Sequence, residues 1–395
     1  MHLVFVSSLP PAGPPESVSG IANHAVVDGL RQAGARVTLL GFRQPGAAPG
    51  EQPDTFSLGD VDPAAGRGGV ADRLRLLATA YAAGIPASSA ALRYVRETEM
   101  RAALSRLEPF DGVVLGGVLE AGAFERVFSG RPYIFLAHDV EHVRAMEAAR
   151  EAIGFSQRLL LRREARVLSM LEGRLCDRAR FALTLSQEDR ESLGVAEERS
   201  RVLPLVMPQP SALAGERIPA FDVGMAGDWT QPSNRAGLEW FLQHVVPLLH
   251  PDISIAVAGP APRRLANREK HIAFLGRVID EREFLRQCRV VALTARAKTG
   301  VHLPAIETLE LGLPAVATPP AMRGIVAVPA NVRVAADPKD FAAALQESVV
   351  GQRTGFLPDA DGAAFRAAQL ERQRKVLDEA VRNFVVSGPR RGSAG

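Results

Sequence analysis

Residues 296–318, RAKTGVHLPAIETLELGLPAVAT, constrain the fold more tightly than any other stretch. An apolar run, Val290–Ala295, precedes the segment and reads as a buried strand, and Ala315–Thr318 reads as the next one. Between the two, Pro304 suits the first helical position, where its missing N–H costs nothing. Gly312 can close that helix, and Pro314 keeps it from resuming. Strand, helix and strand in so short a span form a crossover, and a crossover calls for parallel strands with helices on the sheet faces. The spacing also carries chemistry. Thr299 and Gly300 fall just before the helix N-terminus, where free N–H groups and the helix dipole favour a phosphate. Glu307 falls in the first turns of the same helix. A carboxylate beside an anion site needs donors of its own, and sugar or ribose hydroxyls supply them.

A chain of 395 residues is long enough for two domains of about 150–200 residues each. Its hydrophobic share of 47% and charged share of 23% suit globular domains with sizeable cores. The net charge of +3 is too small for a nucleic-acid-binding face. Basic residues are nearly all arginine, with no lysine before Lys270, so arginine abundance reflects composition rather than a partner. Cys176 and Cys288 lack metal-like spacing and read as ordinary thiols of a reducing compartment. The opening apolar run is too short for a signal peptide, and no run approaches the ~18–20 apolar residues of a membrane span. A cytoplasmic protein is expected.

The N-terminal half opens on Leu3–Val6, an apolar run typical of a first parallel strand. A Pro- and Gly-rich loop over 10–20 follows, then helical spacing at Ile21, Ala25, Val26 and Leu30, ended near Gly34, and a strand at Val37–Leu40. This is a Rossmann-type opening without G-x-G-x-x-G, which argues against a dinucleotide cofactor. Residues 43–70 read as an irregular surface excursion. Residues 71–108 read as two helices broken at 84–86, with Leu74, Leu77, Ala78 and Tyr81 on one side and later Leu92, Val95 and Leu104. Strands resume at Gly112–Gly116 and Tyr133–Ala137. The second runs into His138, Asp139, Val140, Glu141 and His142, and in open α/β sheets ligands sit beyond the carboxyl ends of strands. His138 and His142 would share a helix face, but no third metal ligand accompanies them, so a metal reading ranks below a sugar site. His142 can equally be a structural histidine at the strand end.

Residues 150–180 read as one long helix burying Leu159, Leu160, Val167, Leu168, Leu171 and Leu175, with Arg158, Arg162, Arg163 and Arg166 outward. Such a face could rest on anionic lipid headgroups. A solvated face tempered by Glu164 and Glu172 is the preferred reading. Phe181–Ser186 is a further strand, and a proline-rich stretch over 204–219 reads as a linker. A second Rossmann unit starts at Phe221, followed by a helix with Leu238, Phe241, Leu242, Val245 and Leu249 on one face and a kink at Pro247. Strands follow at Ile253–Gly259, Ile272–Gly276 and Val332–Val334. Asp280 and Glu283 suggest a capping box, Asp337 and Pro338 open a helix over Phe341, Leu345 and Val349, and 360–385 reads as a last helix. Residues 389–395 should be a disordered tail.

Three of these segments together resemble the group 1 glycosyltransferases. Residues 299–318 are similar to the donor-site pattern T-G-x-x-x-K-x-L-E-A-x-A-x-G-x-P-V-V-x-T, with Gly300, Glu307, Gly312, Pro314, Val316 and Thr318 in matching places. Two positions depart from the family: Pro304 stands where it has lysine, and Thr299, eight residues before Glu307, stands where it usually has an acidic residue. Residues 138–142 resemble the signature H-N-x-E-H, with Asp139 for asparagine. Residues 224–247 resemble G-x-x-x-W-x-P-N followed by W-F and proline, through Asp228, Trp229, Asn234, Trp240, Phe241 and Pro247.

The resemblance implies a GT-B fold of the α/β class: two Rossmann-like domains facing an interdomain cleft, with a C-terminal helix crossing back to the first. The expected division is an acceptor-binding domain over 1–203, a linker over 204–219, a nucleotide-sugar-binding domain over 220–365, and the crossing helix over 366–388. It implies transfer of a sugar from a nucleotide-diphospho-sugar to a glycan, lipid-linked or small-molecule acceptor, in cell-envelope polysaccharide or glycoconjugate synthesis. Retention of configuration and no metal or other cofactor are implied as well, and acceptor choice would rest with 43–110. His138 would sit near the transferred sugar. Thr299, Gly300 and Val301 would hold the diphosphate, with Lys298 and Arg235 countering its charge. Glu307 would bind ribose hydroxyls, Val278 would lie against the nucleobase, and Gly20 and Asn234 would complete the donor side. A plain connecting loop at Gly20 and a surface arginine at Arg235 stay open. So do two other functions, a non-catalytic partner subunit suggested by Thr299 and Pro304, and a nucleotide-sugar epimerase, which would be expected to show more acidic residues.

Overall fold

A computed structural model describes residues 1–7, 15, 17–43, 54–60, 70–93, 95–208, 215–266 and 272–386. The chain divides into two compact units, one of residues 1–203 with 372–395, the other of residues 204–371.

The first unit is built on a seven-stranded parallel sheet. Its strands are β1 (His2–Ser7), β2 (Arg36–Arg43), β3 (Thr55–Asp60), β4 (Gly112–Gly116), β5 (Tyr133–Ala137), β6 (Phe181–Thr184) and β7 (Ser200–Val202), in the spatial order β3-β2-β1-β4-β5-β6-β7. The order reverses between β1 and β4, the switch point at which an open α/β sheet forms a crevice. β1, β4 and β5 are buried nearly throughout, as their continuous apolar runs require. Val4, Val6, Val113, Leu115 and Phe135 pack in one cluster with Phe124, Phe128, Leu168 and Leu171.

The second unit carries six parallel strands: β8 (Phe221–Ala226), β9 (Ile255–Ala258), β10 (Ile272–Gly276), β11 (Cys288–Leu293), β12 (Ala315–Ala317) and β13 (Val332–Val334). Their order is β10-β9-β8-β11-β12-β13, again with the switch beside the first strand. Phe241 and Phe341 meet edge to face, with centroids 6.4 Å apart, in the cluster that covers β8 and β9. Helix Gly362–Val386 begins in this unit, where Arg366 Nη1 donates to Glu310 Oε2 (2.6 Å) and Met207 O (2.7 Å). Its later turns belong to the first unit: Leu377 fills the space a Cβ on Gly29 would need, and Arg201 donates to both oxygens of Glu379 (2.9 and 2.5 Å).

Several expectations need correction. Residues 55–60 form the edge strand β3 within the stretch read as irregular, and β7 was not expected from its three residues. Three helices, Val70–Ala83, Ala87–Ala90 and Glu97–Leu107, replace two over 71–108, and Leu74 and Tyr81 are exposed. The long helix over 150–180 is instead two, Glu141–Glu151 and Phe155–Arg178, parted at 152–154, where Ala152 turns extended and Gly154 leads the second helix. Leu159 is exposed rather than buried, because the inward arc of the second helix is centred on Ala165, Leu168, Leu171 and Glu172. Helix Pro232–Trp240 passes into a π turn, Phe241–Val245, and a 3₁₀ turn at Val246–Leu248, so Pro247 ends it without an abrupt break. Part of the 204–219 stretch and the whole tail over 389–395 lie outside the described residues.

Candidate functional site

In the second unit β11 delivers the chain to residues 296–302, and helix Leu303–Glu310 follows with His302 as its N-cap. Pro304 is therefore the second helical residue, not the first, and it still removes a donor the helix could not have used. The helix's own bonds begin with Ala305 and Ile306, whose N–H groups both donate to His302 O (3.0 and 3.4 Å). Thr299, Gly300 and Val301 form the loop leading into it, all half-buried. Gly300 adopts φ +75°, a left-handed conformation few other residues take without strain, and its carbonyl accepts from Arg323 Nε (3.2 Å). Gly312, at φ +72°, ends the helix as expected; a Cβ there would lie 2.1 Å from Ala360 O.

Glu307 lies on the partly exposed side of this helix, with Arg282 Nε 3.9 Å from its Oε1. Burial pushes its carboxyl up to about 7, the neighbouring Glu281 adds to the rise, and Arg282 opposes it. Burial likewise raises Glu281, helped by Asp228 and Asp280. Asp280 Oδ1 accepts from Arg282 N (2.8 Å) and Glu283 N (3.3 Å), the capping half of the expected box. Val278 is partly buried against the cluster that contains Leu285 and Leu309.

The loop after β8 approaches the same region. Gly227 and Gly259 pass so closely that a Cβ on Gly259 would sit 1.9 Å from Gly227 O. Trp229 Nε1 donates to Ala258 O (2.8 Å), and Asn234 Nδ2 donates to Asp228 O (3.1 Å). Asn234 thus fixes the loop that its own helix follows. Arg235 Nε lies 4.0 Å from Glu239 Oε1, and Lys298 is exposed. Trp229, Asn234, Thr294, His302, Pro304 and Thr308 line a small cavity at the carboxyl ends of β8 and β11. His302 was missed in the sequence, where nothing marks it beyond its place before the helix. Its Nδ1 is buried with no hydrogen-bond partner among the described residues, and burial lowers the ring to about 4, so it is neutral near pH 7.

In the first unit His138 follows β5. Its Nε2 stands 2.7 Å from Asn23 Oδ1, and an amide oxygen only accepts, so Nε2 carries the proton and Nδ1 keeps its lone pair. Asn23 Nδ2 in turn donates to Ser7 Oγ (3.0 Å), at the end of β1. The ends of the two strands are thus joined through Asn23, which the sequence marked only as one more position of the first helix. Burial lowers the His138 ring to about 4, leaving a neutral imidazole. Gly117, at φ +102°, passes beside the ring, where a Cβ would meet Nδ1 at 3.0 Å. Gly20 is not in a loop: helix Val18–Gln32 starts two residues before it, and Gly20 N–H donates to the capping Ser17 Oγ (3.1 Å). His142 has a structural role. Glu172, buried in helix Phe155–Arg178, accepts from Glu141 N, His142 N and His142 Nδ1 (2.8, 3.2 and 2.6 Å) and so caps helix Glu141–Glu151 from outside. Among the described residues no three His, Cys, Asp or Glu side chains are grouped to hold a metal ion.

Residues 220–349 match the family described as Glycosyl transferases group 1. The match lies within the second unit, and residues 1–219 fall outside it. The match covers the junctions around Gly227, Asn234, Gly300 and Glu307. Solved structures share the GT-B fold over nearly the whole chain. Sucrose-phosphate synthase from Thermosynechococcus elongatus is 13% identical, with a TM-score of 0.65, covering 98% of this chain and 100% of its own. Anabaena HepE, solved with UDP and glucose, is 14% identical with a TM-score of 0.59, covering 98% and 100%. The lipopolysaccharide outer core galactosyltransferase WaaB is 11% identical with a TM-score of 0.55, covering 98% and 99%. A search among curated proteins finds no match. Among the described residues no helix is long and apolar enough to cross a membrane.

Proposed function

We propose that the protein transfers a sugar from a nucleotide-diphospho-sugar to an acceptor, with retention of configuration and without a metal ion. The observation that carries this reading is the pairing of an anion-favouring helix start with Glu307 inside the family-matched segment. The departing nucleotide diphosphate gains negative charge as the glycosidic bond breaks. Backbone N–H groups around Gly300 to Leu303, the dipole of helix Leu303–Glu310 and the cations Lys298 and Arg235 oppose that charge. Glu307 accepts from the ribose hydroxyls and Val278 borders the base. His138, neutral and held by Asn23, serves the transferred sugar, its Nδ1 lone pair available to a sugar hydroxyl. HepE was solved with UDP and with UDP-glucose, which makes uridine nucleotides the first donors to try.

The acceptor is a glycan, a lipid-linked sugar or a small molecule of cell-envelope or glycoconjugate synthesis. A second reading, a partner subunit that binds but does not transfer, draws on Pro304, which removes one N–H from the helix start and stands where the family has lysine. Incubation with UDP- and GDP-sugars separates the readings. Release of free nucleotide and a product of unchanged anomeric configuration by NMR support the transferase. Binding heat without release, even with acceptors present, supports the partner subunit, and appearance of an epimer would overturn both.

A further inference from the structure

The solvated-face reading of residues 150–180 depends on Glu164 and Glu172 tempering the arginines, and the structure turns both carboxylates inward. Glu164 accepts from Ala87 N (2.8 and 3.0 Å) and Ser88 N (3.4 Å), and Glu172 is buried against the start of helix Glu141–Glu151. Arg158 and Arg163 are also engaged: the first donates to Ala152 O, and the second donates to Ala80 O while lying over the Tyr81 ring at 4.2 Å. What helix Phe155–Arg178 presents outward is a different set. Phe155, Leu159, Arg162, Arg166 and Met170 recur at helical spacing on the side opposite the buried Leu168, Leu171 and Leu175, and all five are exposed. No carboxylate lies on that arc from Phe155 to Gly173. At the turn before it Ile153 is 99% exposed and Phe155 81%, a degree of exposure that costs a monomer in water. Glu151 is the exposed acid at the end of the neighbouring helix. An open groove of ≈ 380 Å³ runs along the helix pair, lined by Met146 and Met170 with Arg150 and Arg166.

We infer that this helical hairpin docks the protein on an anionic lipid bilayer. Ile153 and Phe155 at the turn enter the headgroup–acyl boundary, while Arg162 and Arg166 meet lipid phosphates. An apolar tip beside arginines, with Glu164 and Glu172 turned inward and Glu151 the one exposed acid beside it, matches such a surface in both chemistry and charge. A second copy of the chain would set the same arginines against each other. The inference does not depend on the transferase reading.

The test is co-sedimentation of the full chain with vesicles of phosphatidylcholine alone and of three parts phosphatidylcholine to one part phosphatidylglycerol. The protein should pellet with the anionic vesicles, progressively less as salt is added, and stay in solution with the neutral ones. Charge reversal in Arg162→Glu/Arg166→Glu should weaken partitioning at least about thirtyfold, about fivefold for each arginine removed and further for each carboxylate added. Ile153→Ser/Phe155→Ser should weaken it while leaving circular dichroism and melting unchanged, since both side chains are exposed. Equal binding to neutral vesicles, no binding to anionic ones, or wild-type partitioning by both double variants would overturn the inference. So would a concentration-dependent dimer that Ile153→Ser/Phe155→Ser dissolves, because the patch would then belong to a second copy.

Discussion

At the end of β5, His138 stands with its partner in place: Asn23 fixes the ring, Ser7 fixes Asn23, and the imidazole is neutral before any substrate arrives. At the end of β11 the polar groups are less settled. His302 Nδ1 is buried with no partner among the described residues, and burial with the neighbouring Glu281 pushes Glu307 up to about 7. Both are strand-to-helix junctions at the carboxyl edge of a parallel sheet, so topology alone does not distinguish them. Under the proposed function the two would have different tasks. A group acting on a reacting sugar gains from being held in one orientation beforehand. A surface admitting a polyanion and its ribose leaves donors and acceptors for the ligand to satisfy, at a cost to the free protein.

The largest effect should come from the settled junction. His138→Ala should lower turnover about a hundredfold or more while leaving nucleotide affinity unchanged, checked by initial rates beside calorimetry. Equal loss of affinity would erase the contrast between the two junctions. Next comes Gly259→Ala, which forces a Cβ against Gly227 O at a positive φ. It should cost the second unit about 3 kcal/mol or more, read from urea melts. Glu307→Ala should weaken nucleoside diphosphate binding about ten- to a hundredfold, the worth of hydrogen bonds to a charged group.

Acidity gives a subtler separation. The Glu307 carboxyl titrates near 7 when folded and near 4.5 as an ordinary glutamate, so the folded state holds its proton longer. Its contribution to stability is full below about 4.5 and is lost as pH rises through about 7. Ribose hydroxyls prefer the ionised form, so nucleotide affinity should rise over the same interval, and Glu307→Gln should flatten both curves. The smallest effect is expected from Asn23→Leu, which frees the ring that Asn23 orients. It should lower turnover with little change in affinity, and without the catalytic loss of His138→Ala.

Much of the fold was readable because buried parallel strands are written as continuous apolar runs. Gly112–Gly116 and Tyr133–Ala137 were legible to the residue. β3 and β7 were not, since edge strands as short or as polar as Thr55–Asp60 and Ser200–Val202 show no such run. Within the site, Gly300, Gly312, Pro314 and Glu307 could be placed from spacing because turn chemistry and helix ends are local. Asn23, Glu172 and His302 act through partners far along the chain or through burial. The same distance concealed that Glu164 and Glu172 face inward, which changes the reading of the arginine-bearing helix.

The most direct measurement is a crystal of the full chain soaked with uridine diphosphate. Density should contact the backbone at Gly300 with the diphosphate and the Glu307 carboxylate with the ribose, and the same soak of Glu307→Ala should show weaker or absent density. A diphosphate bound elsewhere, or ribose hydroxyls that leave Glu307 untouched, would contradict the donor site placed at this junction.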